Sequence, residues 1–524
     1  MSSATPAPTP RAPRVRRLPL AGVLRLGRPS DIWFKPALSV VASVAPPNLT
    51  LLALGRLDLA MYTMAGSLCA LYAHNKPYAA RARALLRVVL GMIGGLAVAL
   101  VTASLTTNAV VLVTAGAGLA AVQKGLCDAT RIGPPGNVVL TFISSASLFA
   151  PQTLAQVPGH LALAAAAGVW AWLVGMAPGL VRPYGPERRA TAQALDAAAA
   201  YAVTHGAVGG EAHGAGAGRA RAAGVEDAQV PGAEGGSNVR AQARARATTA
   251  AAIHAAWQSL LAAGIRTDTA TGTGTHTATA TRTTPRRALE RLVVRAEVAL
   301  AAPADTDPEL LRTWARELRG RGPVPRTDDP VGAVAELLGV DAELATPARP
   351  LWTRLGPLAP LVLRTAIGCA LAGYASLALG VGRPYWALVT AASLYQANIT
   401  LTWGRGVQRV VGNLVGVLVF AGVAPLAHNR PAVLVLCCLA FNFGAEALIG
   451  RNYWLGGVCV TPMALLITEF ARTQQPGELI TERVVDTLVG ALVGLVAAAT
   501  VTNRRATDRV EEALTAAEQA RGRA

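Results

Sequence analysis

Residues 407–426 read VQRVVGNLVGVLVFAGVAPL: twenty residues, a single charge at Arg409, and glycines four apart at Gly412 and Gly416. A helix of that length rises about 30 Å, the thickness of a bilayer's hydrocarbon core. The stretch is therefore a membrane-crossing helix. Its pattern has an echo upstream, where Arg87-Val-Val-Leu precedes Gly91, Gly94 and Gly95. Working outward, further apolar stretches lie near 36–54, 58–73, 88–106, 108–123, 137–150 and 159–178. Others follow near 361–380, 385–398, 431–449, 453–470 and 484–502. The expected fold is an all-α polytopic membrane protein, two six-helix transmembrane repeats separated by a cytoplasmic, partly disordered helical insert. Duplicated halves place a shared pathway at their interface near the bilayer midplane.

Composition agrees. The chain is 52% hydrophobic and 15% charged, with mean hydropathy +0.39. Globular proteins carry roughly 25% charged residues. The net charge of +18 is uneven. Residues 183–350 hold 19 Arg and 18 acidic residues, and the remainder carries the excess beside the membrane segments. A nucleic-acid binder needs a basic face on a soluble domain, which the near-neutral insert does not offer. The six cysteines fall mostly in apolar runs, without the spacing of a metal site or a disulfide framework.

Basic residues orient the chain. With residues 1–35 inside as a basic segment, 24 of the 29 basic residues outside the insert lie on the cytoplasmic side; the exceptions are Arg56, Arg383, Arg430, Arg472 and Arg483. The expected organisation is then 36–180 as the first six-span half, 181–350 as the cytoplasmic insert, 351–503 as the second half and 504–524 as a cytoplasmic tail. Both termini are expected in the cytoplasm of a plasma or inner membrane. Pro46-Pro47 predicts a kink in the first span. Within the insert, residues 206–284, rich in Gly, Ala and Thr, read as disordered. The flanks read as helical, with Asp307-Pro308-Glu309 a helix start.

There is no G-x-x-x-x-G-K-[ST] loop, nucleophile elbow, HExxH or hydrolase carboxylate pair. The reading is a non-enzyme with no cofactor and no metal. Charges inside spans are costly and tend to be functional. Arg364, Arg409, Glu446, Glu469, Arg483 and Asp486 qualify, with Arg87 in the first half. Arg364, Arg409 and Arg483 have a second reading as interfacial anchors, and Asp486 as a partner of an Arg on another helix. Glu446 and Asp486 are the candidates for proton coupling. Gly91/Gly95, Gly412/Gly416 and Gly490/Gly494 are spaced for close helix packing. Tyr385-Trp386 and Tyr453-Trp454 read as an interfacial aromatic belt, or as a stacking platform for an aromatic substrate, with Trp386 a pathway candidate. Thr390, Gln396, Asn398 and Asn442 are polar groups able to bind a carboxylate or to satisfy broken backbone.

The stretch Tyr385-Trp386-Ala-Leu-Val-Thr390, with Arg405-x-x-x-Arg409-Val-Val-Gly412-x-x-x-Gly416, resembles the fusaric acid resistance (FUSC-like) integral membrane family. That family's pattern is Trp-x-x-Leu-Thr followed by Arg-x-x-Gly-Thr-x-x-Gly; here Asn413 stands where the pattern has Thr. Arg483-x-x-Asp486-Thr487-x-x-Gly490-x-x-x-Gly494 resembles the family's last helix. The resemblance covers about 355–502 and is faint over 36–180. It implies an inner-membrane protein of six plus six spans that exports aromatic carboxylic acids on the proton gradient. Distant similarity to plant aluminium-activated malate channels keeps a passive anion channel open. A membrane scaffold is the reading from another class. The expected partners are membrane lipid and a small organic anion; a homo-oligomer is left open and nucleic acid is not expected.

Overall fold

The computed structural model describes residues 22–27, 33–221, 233–262, 285–325, 350–395, 399–427, 430–471 and 475–500. Among them all regular structure is helical. The chain forms two compact units, Met1–Tyr72 with Leu85–Val174 and Pro350–Ala524, and Ala73–Ala84 with Gly175–Arg349.

The first unit draws on α1 (Phe34–Ala53), α2 (Ala60–Ser67), α3 (Tyr78–Leu105), α4 (Ala109–Thr130), α5 (Val138–Leu148) and α6 (Val157–Met176). The second unit's helices are α7 (Gly185–Arg221), α8 (Ala233–Ala262), α9 (Pro285–Ala301) and α10 (Pro308–Arg319). The chain then returns to the first unit with α11 (Ala359–Ala378), α12 (Tyr385–Leu394), α13 (Ile399–Ala427), α14 (Pro431–Ile449), α15 (Tyr453–Ala471) and α16 (Pro476–Thr500).

Eight helices among the described residues are long and apolar enough to cross a bilayer. The expectation of twelve full spans fails on length at three places. Leu57–Leu71, Val138–Leu148 and Tyr385–Leu394 are shorter apolar helices. At 1.5 Å per residue, α12 reaches about 15 Å, half a hydrocarbon core. All ten of its residues are buried, which is how a broken segment survives at membrane depth. The remaining expected span, α16, carries Glu478, Glu482, Arg483 and Asp486.

Pro46 and Pro47 lie inside α1. A proline cannot donate to the carbonyl four residues back. The carbonyl that Pro46 releases, at Ala42, accepts from the Trp170 indole N–H at 3.0 Å. The neighbouring helix thus completes a hydrogen bond that the sequence of α1 cannot make.

Glycine sets the closest approaches. A Cβ on Gly412 would stand 2.6 Å from the Trp454 carbonyl, and one on Gly416 2.7 Å from Thr461 Cβ, so α13 and α15 meet backbone to backbone. A Cβ on Gly490 would stand 2.4 Å from the Ala387 carbonyl, and one on Gly494 2.9 Å from Leu394, which seats α16 on α12. Gly95 faces Gln123 and Ser144 as tightly. Gly91 differs from the expectation: it is exposed, and its nearest neighbour would be Leu140 at an ordinary 3.7 Å.

The second unit is a helical bundle with its own core, including Leu195, Ile253, Trp257, Leu260, Leu292, Val293, Leu311 and Leu318. Asp307 caps α10 by accepting from the N–H groups of Glu309 and Leu310, with Pro308 at the first position. The Arg188 guanidinium donates to the carbonyls of Glu317, Leu318 and Gly322, closing the other end of α10. The expectation of disorder over 206–284 is corrected in part. Residues 206–221 and 233–262 are helical, and α8 contributes Ile253, Trp257 and Leu260 to the core. Alanine has the highest helix propensity, which outweighs the scattered glycines. The Thr-rich stretch 267–284 lies outside the described residues.

Candidate functional site

The polar interior of the second half is built around Asn413, one turn after Arg409 on α13. Its Oδ1 accepts from Thr461 of α15 and, at 3.2 Å, from Arg483 Nη2 of α16. Its Nδ2 donates to Thr487 Oγ1 at 2.9 Å. One amide thus ties three helices. All four residues are buried, and Arg483 is only 1% exposed.

Arg483 also lies over the Trp386 ring, 3.9 Å from its centroid. A desolvated cation on an indole gains about 2 kcal/mol. Its Nε and Nη1 have no hydrogen-bond partner. One turn on, Asp486 is fully buried; Oδ1 accepts from Ser376 Oγ of α11 at 2.5 Å, and Oδ2 has no partner. Arg409, 5% exposed, donates from Nη1 to Tyr453 Oη at 3.3 Å, while its Nε has no partner. It lies close enough to Arg483 for the two charges to repel. Among the described residues Arg409, Arg483 and Asp486 form no ion pair. Nearby Arg383 and Glu482 are paired at 3.0 Å. Arg405 stacks over the Tyr453 ring at 3.8 Å.

The cluster is therefore a set of buried charges held by neutral groups. Burying an ion costs several kcal/mol even after relaxation. Two guanidiniums kept at that cost, with spare N–H donors and no carboxylate bridge, form an arrangement that attracts an anion.

Comparison with known proteins bears on these same residues. Residues 369–497 match the family described as fusaric acid resistance protein-like. The second half carries a fusaric acid resistance protein-like domain. An uncharacterized membrane protein of Bacillus subtilis, YvaC, is 31% identical over 139 residues, 26% of this chain. The chain spans about a fifth of that relative's length, 22%. No solved structure matches.

Every residue of the cluster, from Ser376 to Thr487, falls inside the fusaric acid resistance-like domain. Of the residues expected from sequence, Arg409, Arg483, Asp486 and Trp386 meet there. The second reading of Asp486 is a partner of an Arg on another helix; its hydrogen bond comes from Ser376. Thr390 is buried on α12, its Oγ1 without a partner, beside Gly490. Gln396 and Asn398 lie outside the described residues. Arg364 precedes the matched segment and sits 5.0 Å from the Tyr395 ring centroid. Asn442 is buried but donates to Cys438 of its own helix at 2.9 Å. Glu446 and Glu469 are half-buried on α14 and α15. Arg87 is exposed, in contrast to Arg409, so the two arginines that sequence aligns are not alike in setting.

The aromatic expectation also changes. Tyr385 and Trp386 are buried. Trp386 is 1% exposed, with Arg483 over its ring, Phe142 of α5 stacked at 5.3 Å and Tyr385 tilted at 4.9 Å. No face remains for a substrate ring to stack on. Asn413, read from sequence as a departure from a pattern, is the hub. The signal was an amide mid-span, on the same helix face as Arg409 and Gly416.

Proposed function

We propose that this is a secondary transporter of small organic anions in the plasma or inner membrane, with Arg409 and Arg483 attracting the anion. Asp486 is the carboxylate placed to exchange a proton beside them. The observation that carries this reading is the pair of buried guanidiniums with unpartnered N–H groups and no bridging carboxylate. The family's name, which refers to resistance against an organic acid, supports efflux as the direction. The basic residues flanking the spans favour both termini and residues 181–350 in the cytoplasm. Equivalence of the two halves as repeats is part of the proposal, resting on Arg87 with Gly95 and on Arg409 with Gly416, though not on matching burial.

The test is accumulation of labelled benzoate in cells with and without the protein. The expected outcome is lower accumulation with it, reversed by an uncoupler. Net flux that only follows the concentration gradient would make it a passive channel. No difference for any organic anion would leave a scaffold.

A further inference from the structure

Independently of the transport reading, we infer that the foot of α3 holds the phosphate of one anionic phospholipid, at a surface site built by Tyr78 with Arg81, Arg182 and Arg189. The geometry starts at a glycine. The apolar segment Leu154–Val181 ends in a short helix, Pro178–Val181, and a Cβ on Gly179 would stand 3.0 Å from Cγ and Cδ1 of Tyr78. The Tyr78 ring, at the start of α3, therefore lies against that backbone, and its hydroxyl reaches toward Gly185 at the start of α7. The ends of two bilayer-length segments, Tyr78–Leu105 and Leu154–Val181, thus meet at one level. Where spans end, the headgroups begin.

The second observation is charge. Three guanidiniums act on the Tyr78 hydroxyl, those of Arg81, Arg182 and Arg189, against one carboxylate, that of Glu187. Glu187 is buried and is also drawn to Arg286. Arg81, one turn along α3, is buried; its Nη2 meets His74 Nδ1 at 3.0 Å and its Nε has no partner. A buried charge is screened by salt much less than an exposed one. Arg182 is exposed and Arg189 half-buried, so a headgroup lying on the surface reaches both, with the field of Arg81 behind them.

The third observation names lipid as the source of the phosphate. Leu180 and Val181, next to Arg182, are 89% and 75% exposed, the two most exposed large apolar side chains among the described residues. Leaving them in water is unfavourable, and an acyl chain covers them. Tyr184 is exposed two residues after Arg182, an amphipathic ring of the kind that sits at headgroup level. The five residues 180–184 therefore present an apolar edge and a cationic edge side by side, which a free phosphate would use only in part. Guanidiniums give phosphate oxygens charge-assisted hydrogen bonds, and basic pockets at the ends of spans bind anionic headgroups. A zwitterionic headgroup brings an ammonium that the arginines repel.

The experiment is lipid binding to the full chain in detergent, counted by native mass spectrometry, with phosphatidylglycerol and phosphatidylcholine of identical acyl chains as probes. Phosphatidylglycerol should bind about tenfold or more tightly, the contribution of two or more arginines at a charged surface. Arg182→Gln should weaken it about fivefold, the contribution of one, and leave phosphatidylcholine unchanged. Arg83→Gln is the reference. Arg83 is exposed on α3, where its Nε donates to the Ala79 carbonyl at 3.3 Å, about 140° round the helix from Tyr78, and its variant should bind like the parent. Equal binding of the two lipids by the parent overturns the proposal. So do equal losses in Arg182→Gln and Arg83→Gln, which would make the attraction a diffuse one. Displacement of the lipid by millimolar inorganic phosphate would give the arginines to the free ion and overturn the lipid assignment.

Discussion

Two of the buried polar clusters in the membrane unit are built on opposite principles. In the first half, Gln123 of α4 donates to Ser144 Oγ at 2.9 Å and accepts from Thr141 Oγ1 at 3.0 Å, while Asn137 donates to Thr141 at 3.2 Å. Every member is neutral, and the donors and acceptors answer one another. In the second half, Arg409, Arg483 and Asp486 keep atoms without partners. A closed neutral chain of hydrogen bonds stabilises helix packing and needs nothing further. A charged cluster with spare donors costs stability, and that cost persists only where something else is gained. The contrast separates structural from functional polarity more sharply than burial does, because both clusters are buried.

The largest expected effect tests the charged cluster. Arg409→Gln and Arg483→Gln should reduce transport to near background at unchanged protein level, since removing a charge that lacks a partner strands no carboxylate. Arg409→Lys should retain part of the activity, keeping the charge but losing the two-pronged fork. Parent-like flux in both Gln variants would reduce these arginines to anchors and erase the contrast.

Next in size is packing. Gly412→Leu and Gly490→Leu should lose most of the folded protein, because their Cβ atoms would meet backbone carbonyls at 2.6 and 2.4 Å that cannot move aside. Gly91→Ala should be tolerated. Detergent-stable yield, read by fluorescence-detected size exclusion, decides; equal yields for Gly91→Ala and Gly412→Leu would be the adverse result.

The neutral cluster gives the third. Gln123→Leu should cost about 1–3 kcal/mol by stranding Thr141 and Ser144, and should leave the transport rate per folded molecule alone. A thermal melt alongside a flux assay checks both halves of the statement. Loss of flux at constant stability would mean that the first cluster is functional too.

The smallest effect lies in the insert. Burial pushes the Glu187 carboxyl above its ordinary range, against the pull of Arg286, and its Oε2 has no partner. A carboxyl whose folded pKa is raised favours the folded state when protonated. Stability is therefore full below the unfolded value of about 4.3 and falls as pH rises through the window up to the folded pKa. Glu187→Gln should flatten that slope and raise stability above the window by about 1 kcal/mol, read as a higher melting temperature. Identical pH–melting curves for parent and variant would remove Glu187 from the account.

Sequence carried much of this and missed specific parts for physical reasons. Helical class, the membrane setting and the family of the second half were legible, because an apolar run of bilayer length has few other uses. Glycine spacing located the backbone contacts at Gly412, Gly416, Gly490 and Gly494, yet Gly91 has the same spacing with nothing opposite, since spacing does not say which face meets a neighbour. Span count was overstated at α12, where apolar character reflects burial under other helices rather than contact with lipid. Trp386 reads as interfacial because aromatics flank spans so often, whereas its place under Arg483 depends on α16 and on Phe142, 97 and 244 residues away. Asn413 became the hub through partners on two other helices, a property no single helix displays.

Residues 22–27 hydrogen-bond to residues made some four hundred positions later. Val23 O accepts from Gln408 Nε2 at 2.8 Å and from Asn452 Nδ2 at 3.0 Å, Leu24 O accepts from the Trp454 indole, and Gly27 N–H donates to the Arg451 carbonyl at 2.8 Å. The separation between Val23 and Asn452 is 429 residues. At about 5–20 residues per second, synthesis needs roughly 20–90 s to cover it. Residues 22–27 therefore wait, undocked, until the start of α15 has been made.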